Sequence, residues 1–467
     1  MSFSEEYYDD SPNPASDSED LQSKVDICKE YVSAGQIYAY LDNIEETIQM
    51  CMEYDYNSDG IYLVDAVLEI APYNSEFWQY KGILLNNIFE FEEAYYCFNR
   101  ALSLNPSDVE SLINKSITED NLGITEEAKE SLRKALELEP NNEEAIYNLG
   151  IIKIRQNNYR EAVNDFTRAV EIDPEYTEAW FELGFCYENI ERFDEALHAY
   201  DKFLEFEAYN SAGWYNRGIV LIRMADFREA IKSFELSLAI KEDFTSAWFN
   251  CGICYANTGN FEQAKSAFNK AAQLDDEDES IWYNLAEVYL ELKDYKNALA
   301  CFNNAIKLDE EYFEALLERG YCHLMMKNKK MAFKDLYDAL ILINSDYNDF
   351  ELQTDKEKKL RVSLIQNSIK KNLKSAELWA ELGEAHFDAG QLNESIESFN
   401  KALKLNNKNA KALYGKAKSE LYDGRISESV YNFGNAFLID QELKKIFEKE
   451  FPDILSSRLF NELIFSN

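Results

Sequence analysis

The sequence is poor in the residues that interrupt a chain: 7 prolines and 16 glycines in 467 residues. Linkers and turns therefore have little punctuation. One elongated domain fits better than the roughly three globular domains that about 100–200 residues each would suggest. No apolar run approaches the ~20 residues of a bilayer-spanning helix, which excludes membrane insertion by that route. Positive charge is scarce, with 47 basic against 87 acidic residues and a net charge of −40. Nucleic-acid binding needs a basic face, so that class is excluded, and cationic partners are favoured instead. The start, Met-Ser-Phe-Ser-Glu-Glu, has neither a basic nor an apolar stretch, so no secretory signal is expected. Without one, the 8 cysteines read as free thiols in a reducing, cytoplasmic setting. Histidine is rare too, at 3 residues: His198, His323 and His386. With no Cys-His or Ser-His-Asp constellation and no glycine-rich phosphate loop, no catalytic apparatus is visible. Neither an enzyme nor a cofactor is expected.

What the chain has is aromatic and periodic. It carries 30 Tyr and 29 Phe, and 46% of its residues are hydrophobic, which excludes disorder over its whole length. Gly82, Gly150, Gly184, Gly218, Gly252 and Gly320 are spaced at 34 residues or twice that, with Ser116 and Ala286 filling the gaps. Four residues before each stands a bulky residue: Trp78, Leu112, Ile146, Trp180, Trp214, Trp248, Trp282 or Leu316. Twelve residues after each stands alanine, from Ala94 to Ala332, and four further on Phe98, Leu132, Phe166, Tyr200, Phe234, Phe268, Phe302 or Leu336. Pro72, Pro106, Pro140 and Pro174 close the early units.

This pattern resembles the tetratricopeptide repeat (TPR) family, whose 34-residue unit has a bulky residue at position 4, Gly at 8, Ala at 20, an aromatic at 24 and Pro at 32. The periodicity gives the same fold without the family. Each unit holds two apolar stretches at helical spacing around a polar turn such as Gln156-Asn157-Asn158. Gly at 8 and Ala at 20 would let the two helices approach, and the aromatics at 4 and 24 would fill the space between hairpins. One hairpin cannot bury both its faces, so the units stack. The expected fold is all-α, a right-handed α-solenoid of about ten to eleven stacked hairpins.

The domains then run as follows. Residues 1–20, rich in Ser, Pro and Asp, read as a disordered acidic tail, and 21–74 as N-terminal helices with a degenerate repeat closed by Pro72. Eight repeats fill 75–346 and two more fill 376–443. Between them, 347–375 reads as a basic helical insertion with a stripe of Leu360, Leu364 and Ile369. Residues 444–467, with Phe447, Leu459 and Phe460, read as a helix capping the last repeat.

Two local motifs suggest chemistry. Cys251-x-x-Cys254 has the spacing of a dithiol redox pair, but it falls inside a repeat helix. Cys186, Cys254 and Cys322 share one repeat position, as small buried residues would. Asp55-x-Asn57-x-Asp59-Gly60 resembles the start of an EF-hand loop, yet Ala66 stands where the bidentate Glu belongs. The turn of the degenerate repeat suits the same residues. No metal site is assigned.

The family resemblance implies that first helices line a concave face through positions 2, 5, 6, 9, 12 and 13. Position 6 holds a recurrent asparagine, at Asn114, Asn148, Asn216, Asn250 and Asn284. A carboxamide both donates and accepts, so such a ladder can pair with the backbone of an extended peptide. Position 5 adds Tyr147, Tyr215 and Tyr283, and groove acids include Glu182, Glu287, Glu318, Glu381 and Glu384. Few bases oppose them: Arg155, Arg223, Lys411 and Lys418. The expected function is a non-enzymatic protein-interaction scaffold binding an extended basic peptide segment. Two alternatives stand beside it: a regulatory or substrate-recruiting subunit of a separately encoded enzyme, and a metal- or redox-dependent sensor. A second copy of the chain is an admissible partner.

Overall fold

The computed structural model describes residues 14–345 and 355–465, and the elements among them are helices with no strand. Consecutive helices pair as antiparallel hairpins, such as Ser75–Asn87 with Phe91–Leu104. Several first helices open at a side-chain cap. Asn142 accepts from the Ala145 N–H, Asn210 from Gly213, Ser375 from Leu378 and Asn409 from Ala412. Each such cap satisfies one of the free N–H groups at a helix start.

The turn inside each hairpin depends on one left-handed residue at position 15. Glycine supplies it at Gly123, Gly259, Gly390 and Gly424. Elsewhere a side chain bears the strain, at Phe89, Asn157, Glu191, Ala225, Lys293 and Lys327. Asp55, with φ 60°, occupies the same position between helices Leu41–Glu53 and Asn57–Ile70. The degenerate first repeat is thus a true hairpin. The Asp55 segment is its turn, and Asp59 lies in the second helix, paired with Lys29 at 2.6 Å.

The core has a different logic from the one expected. The position-24 ring does not fill the gap between neighbours alone; it sits against position 8 of its own hairpin. A Cβ on Gly82 would stand 2.7 Å from Phe98, one on Gly150 2.6 Å from Phe166, and one on Gly218 2.7 Å from Phe234. The glycines make room for a ring, and Phe98, Phe166 and Phe234 are fully buried. The position-4 tryptophans are only half-buried. Their indole N–H ties the turn six residues back, Trp180 to the Pro174 carbonyl at 3.0 Å and Trp214 to Ala208 at 2.8 Å.

The chain forms two compact units that divide at Glu242 and Asp243. The first holds the helix Pro14–Ser33, the degenerate hairpin and five repeats. That helix begins inside the stretch expected as a tail; residues 1–13 lie outside the described residues. The second unit holds three repeats from Thr245 to Ser345, then helix Asp355–Lys371, two repeats from Ala376 to Ile439 and the C-terminal helices.

In the second unit, two segments gain definition. Helix Asp355–Lys371 forms within the stretch expected as a basic helical insertion and leads into the next repeat as a second helix does. It packs on the following helix through buried Ile369, and Trp379 donates to the Leu373 carbonyl at 3.2 Å, the bond made in regular repeats. Leu364, assigned to its apolar stripe, is exposed. The first eight residues of the expected insertion, 347–354, lie outside the described residues. The C-terminal helix Arg458–Phe465 caps more than the last repeat. It packs on helix Ile426–Ile439 of that repeat and also on helix Phe313–Met325, more than 100 residues upstream. Leu336 replaces the usual ring there, and Leu459 reaches Gly320 in its place, 2.5 Å from where a Cβ would stand. Two open stack ends share one apolar core with this helix between them.

Three stability outcomes follow from the packing. Phe234→Ala should cost about 3–5 kcal/mol as a large-to-small core change, and Trp214→Ala distinctly less. Ala225→Gly, at φ 59° on an exposed turn, should stabilise by about 0.5–1 kcal/mol, since a left-handed L-residue costs roughly 1–2 kcal/mol. Urea unfolding checks all three; a Trp214→Ala loss equal to that of Phe234→Ala contradicts the packing order.

Candidate functional site

The first helices carry the residues expected to read a ligand, and the structure places them one unit at a time. In the first unit, Asn114, Asn148 and Asn216 stand half-buried on first helices, with Glu182 at the same position on the one between Asn148 and Asn216. Asn114 donates through Nδ2 to the Glu110 carbonyl at 3.2 Å, and Asn148 to Glu144 at 2.9 Å. In the second unit, Asn250 and Asn284 make the same bond, to Ser246 at 3.0 Å and Ser280 at 2.8 Å. Backbone four residues earlier thus takes one N–H of the carboxamide. The ladder changes character: each such amide is oriented by its own helix.

The position-5 tyrosines are part of the core wall. Tyr147 lies 5.5 Å from the Phe166 ring, Tyr215 5.7 Å from Phe234, and Tyr283 5.8 Å from Phe302, between ring centroids. Tyr283 also stacks on Tyr312 at 5.0 Å. Each of these rings thus lies against its own hairpin's core, one residue before the asparagine of the same helix.

The acids are where the site departs from ordinary surface. Burial pushes the Glu182 carboxyl up to about 7. Glu144 is raised by burial and by its neighbours Glu110 and Glu143, and Glu188 by burial against the opposing pull of Arg223. Glu45, on the first helix of the degenerate hairpin, is raised by burial and then by Glu76. Sequence reasoning missed Glu45 because that hairpin lacks most of the repeat pattern. Of the opposing bases in this unit, Arg155 is spent on Asp120 at 2.5 Å.

In the second unit, the structure brings Glu287 and Glu318 together around a residue that sequence reasoning also missed. Arg458 lies 3.1 Å from Glu287, 3.1 Å from Glu318 and 3.4 Å from Glu291. Burial, then Glu287, pushes the Glu318 carboxyl up to about 7 despite the guanidinium. The last repeat shows the inverse pairing. Lys418 meets Glu450 of the C-terminal helix Glu442–Glu450 at 3.1 Å, and Tyr414 donates to Glu450 at 2.7 Å. Glu381 and Glu384 stand exposed on helix Ala376–Asp388, in the separate pair of repeats.

The thiols carry no comparable signal. Cys251 and Cys254 are buried in helix Thr245–Asn257, and burial holds Cys254 at about 12, far from a reactive thiolate. Among the described residues, no three metal-ligating side chains converge. No described helix is long and apolar enough to cross a membrane.

Tetratricopeptide repeat models match residues 109–142, 147–212, 211–244, 245–278 and 280–312, and a TPR repeat model matches 368–419. The chain belongs to the tetratricopeptide repeat family, and its repeats make it a protein-interaction scaffold. The sequence has no significant match among curated proteins. Among solved structures, it is similar to YrrB, described as a TPR protein with an unusual peptide-binding site. The identity is 24%, over 40% of this chain and 97% of that one, with TM-score 0.38. A TPR protein from Parabacteroides merdae gives 24% identity over 51% and 94%, with TM-score 0.39. The C-terminal part of a TPR protein from Cytophaga hutchinsonii gives 16% over 58% and 98%, with TM-score 0.41. At these scores the likenesses add nothing to the family assignment.

A raised carboxyl has a thermodynamic signature. Glu182 binds a proton more readily in the folded chain than at its ordinary value of 4.5, so stability falls as pH rises from about 4.5 to 7. Glu182→Gln should therefore stabilise the first unit at pH 8, on the order of 1–3 kcal/mol at about 1.4 kcal/mol per pKa unit. It should change little at pH 4.5. Thermal unfolding at the two pH values checks the sign; an equal gain at both contradicts it.

Proposed function

We propose that the concave face binds an extended, basic segment of a partner protein. The observation that carries this reading is the use the chain itself makes of that face. Positions 6, 9 and 13 hold the Arg458 guanidinium through Glu318, Glu287 and Glu291. The first unit repeats the chemistry with Glu144, Glu182 and Glu188, whose burial favours a compensating cation.

Backbone reading falls to the asparagines. With one N–H given to its own helix, the Asn114 or Asn148 carboxamide still has its oxygen for a partner's N–H. Packed helices lie about 8–10 Å apart, and an extended chain advances about 3.3 Å per residue. Where asparagines stand on adjacent first helices, as Asn114 and Asn148 do, one meets the ligand backbone about every three residues. Backbone pairing gives affinity with little sequence preference, while the acids select charge.

Each neutral hydrogen bond contributes about 0.5–1.5 kcal/mol net, so a single substitution is close to silent. The test replaces Asn114, Asn148 and Asn216 together by alanine and titrates an unstructured, Lys/Arg-rich fluorescent peptide. Affinity should fall at least about tenfold, which is 1.4 kcal/mol, with circular dichroism unchanged. Unchanged affinity in the folded triple variant moves the interaction off this face.

A further inference from the structure

The site around Arg458 is unbalanced. One guanidinium faces three carboxylates, Glu287 and Glu291 from helix Glu279–Glu291 and Glu318 from helix Phe313–Met325. With all three carboxyls ionised, the pocket keeps a net charge of −2 with its cation in place. Burial, with Glu291 acting on Glu287 and Glu287 on Glu318, still holds both carboxyls above the ordinary range against the pull of Arg458. The Arg458 side chain is 39% exposed, whereas its neighbour Leu459 is fully buried and Phe460 nearly so. The apolar contacts anchor the helix. The charge contact lies at its edge, where a side chain can swing out without unpacking the core. Tyr283, stacked on Tyr312, lies close enough to feel the Glu287 and Glu318 charges.

We propose that Glu287, Glu291 and Glu318 form a guanidinium-binding pocket that Arg458 occupies as a self-ligand, so a partner's arginine must compete with Arg458 for it. The contact is autoinhibitory. It raises the threshold for binding at this end of the scaffold and restricts occupancy to partners carrying more than one cation. A planar guanidinium suits the site better than an ammonium, because its forked N–H groups bridge separate carboxylates. The proposal rests on the reading that groove acids hold a partner's cations, and it adds the competitor.

The test uses the full chain and a fluorescent hexa-arginine peptide at near-physiological salt. Arg458→Ala should bind the peptide about tenfold more tightly than wild type. Arg133→Ala, which removes an exposed arginine paired with Glu130 at 3.0 Å, makes the same change in net charge and should leave affinity unchanged. Adding Glu287→Gln and Glu318→Gln to Arg458→Ala should abolish the gain. In wild type, saturating peptide should also quicken amide exchange across 458–465, a readout that needs no variant. No gain in Arg458→Ala, a gain equal to that of Arg133→Ala, a gain that survives loss of the acids, or unaltered exchange would each overturn the proposal. Loss of peptide binding in Glu182→Gln alone bears on the first unit and leaves this result standing. A gain in Arg458→Ala alongside a silent Asn114, Asn148 and Asn216 triple variant refutes the extended-peptide reading and keeps the pocket.

Discussion

The fold depends on one contact repeated along the chain: an aromatic ring at position 24 lying where position 8 has no side chain. Gly82 under Phe98, Gly184 under Tyr200, Gly252 under Phe268 and Gly383 under Phe399 are the same contact. It fixes the separation of the two helices in a hairpin, and so which face of the first helix turns outward. Interiors are packed to crystal-like density, so a missing ring has to be replaced. In the repeat that starts at Phe313, the ring is missing, and a leucine from the end of the chain replaces it. Arg458, the residue beside that leucine, is thereby brought to the groove acids.

Charge is the second layer, and it follows from the first. Within each unit the hairpins present their first helices in register, so a residue type recurring at one repeat position becomes a row. Carboxylates in such a row are partly removed from water and repel one another, which raises their affinity for protons and cations alike. The C-terminal segment answers both signs. It offers Arg458 to the acids and Glu450 to Lys418, in the repeat that carries a basic residue at position 9. A net charge of −40 makes the acidic case the general one.

Much of the fold was legible because a 34-residue period is hard to produce except by stacking hairpins. Gly184, Ala196 and Tyr200 announced the packing in a single repeat. The sequence showed that positions 8 and 24 matter but not that they touch, since spacing says nothing about which side chain fills which gap. It also placed the position-4 tryptophans too deep, because a tryptophan at an apolar position is read as core even when its N–H holds a turn. Two segments could be placed only in part, because helix Asp355–Lys371 and helix Arg458–Phe465 lack the repeat signature. The first packs on the helix that follows it, while the second packs on the last repeat and also on a helix more than 100 residues upstream. Among the site residues, Glu182, Glu287 and Glu318 could be read from register. Arg458 could not, because nothing local ties it to residues about 140 positions earlier.

The most direct measurement is the proton balance of ligand binding. At pH 7 the Glu182 carboxyl, held at about 7, is about half protonated in the free protein, and a cation seated beside it expels that proton. Calorimetric titration of a Lys/Arg-rich peptide, run in two buffers of different ionisation enthalpy, should show net proton release that disappears in Glu182→Gln. Binding with no proton release at pH 7, or with the same release in the variant, would place the ligand away from the concave carboxylates.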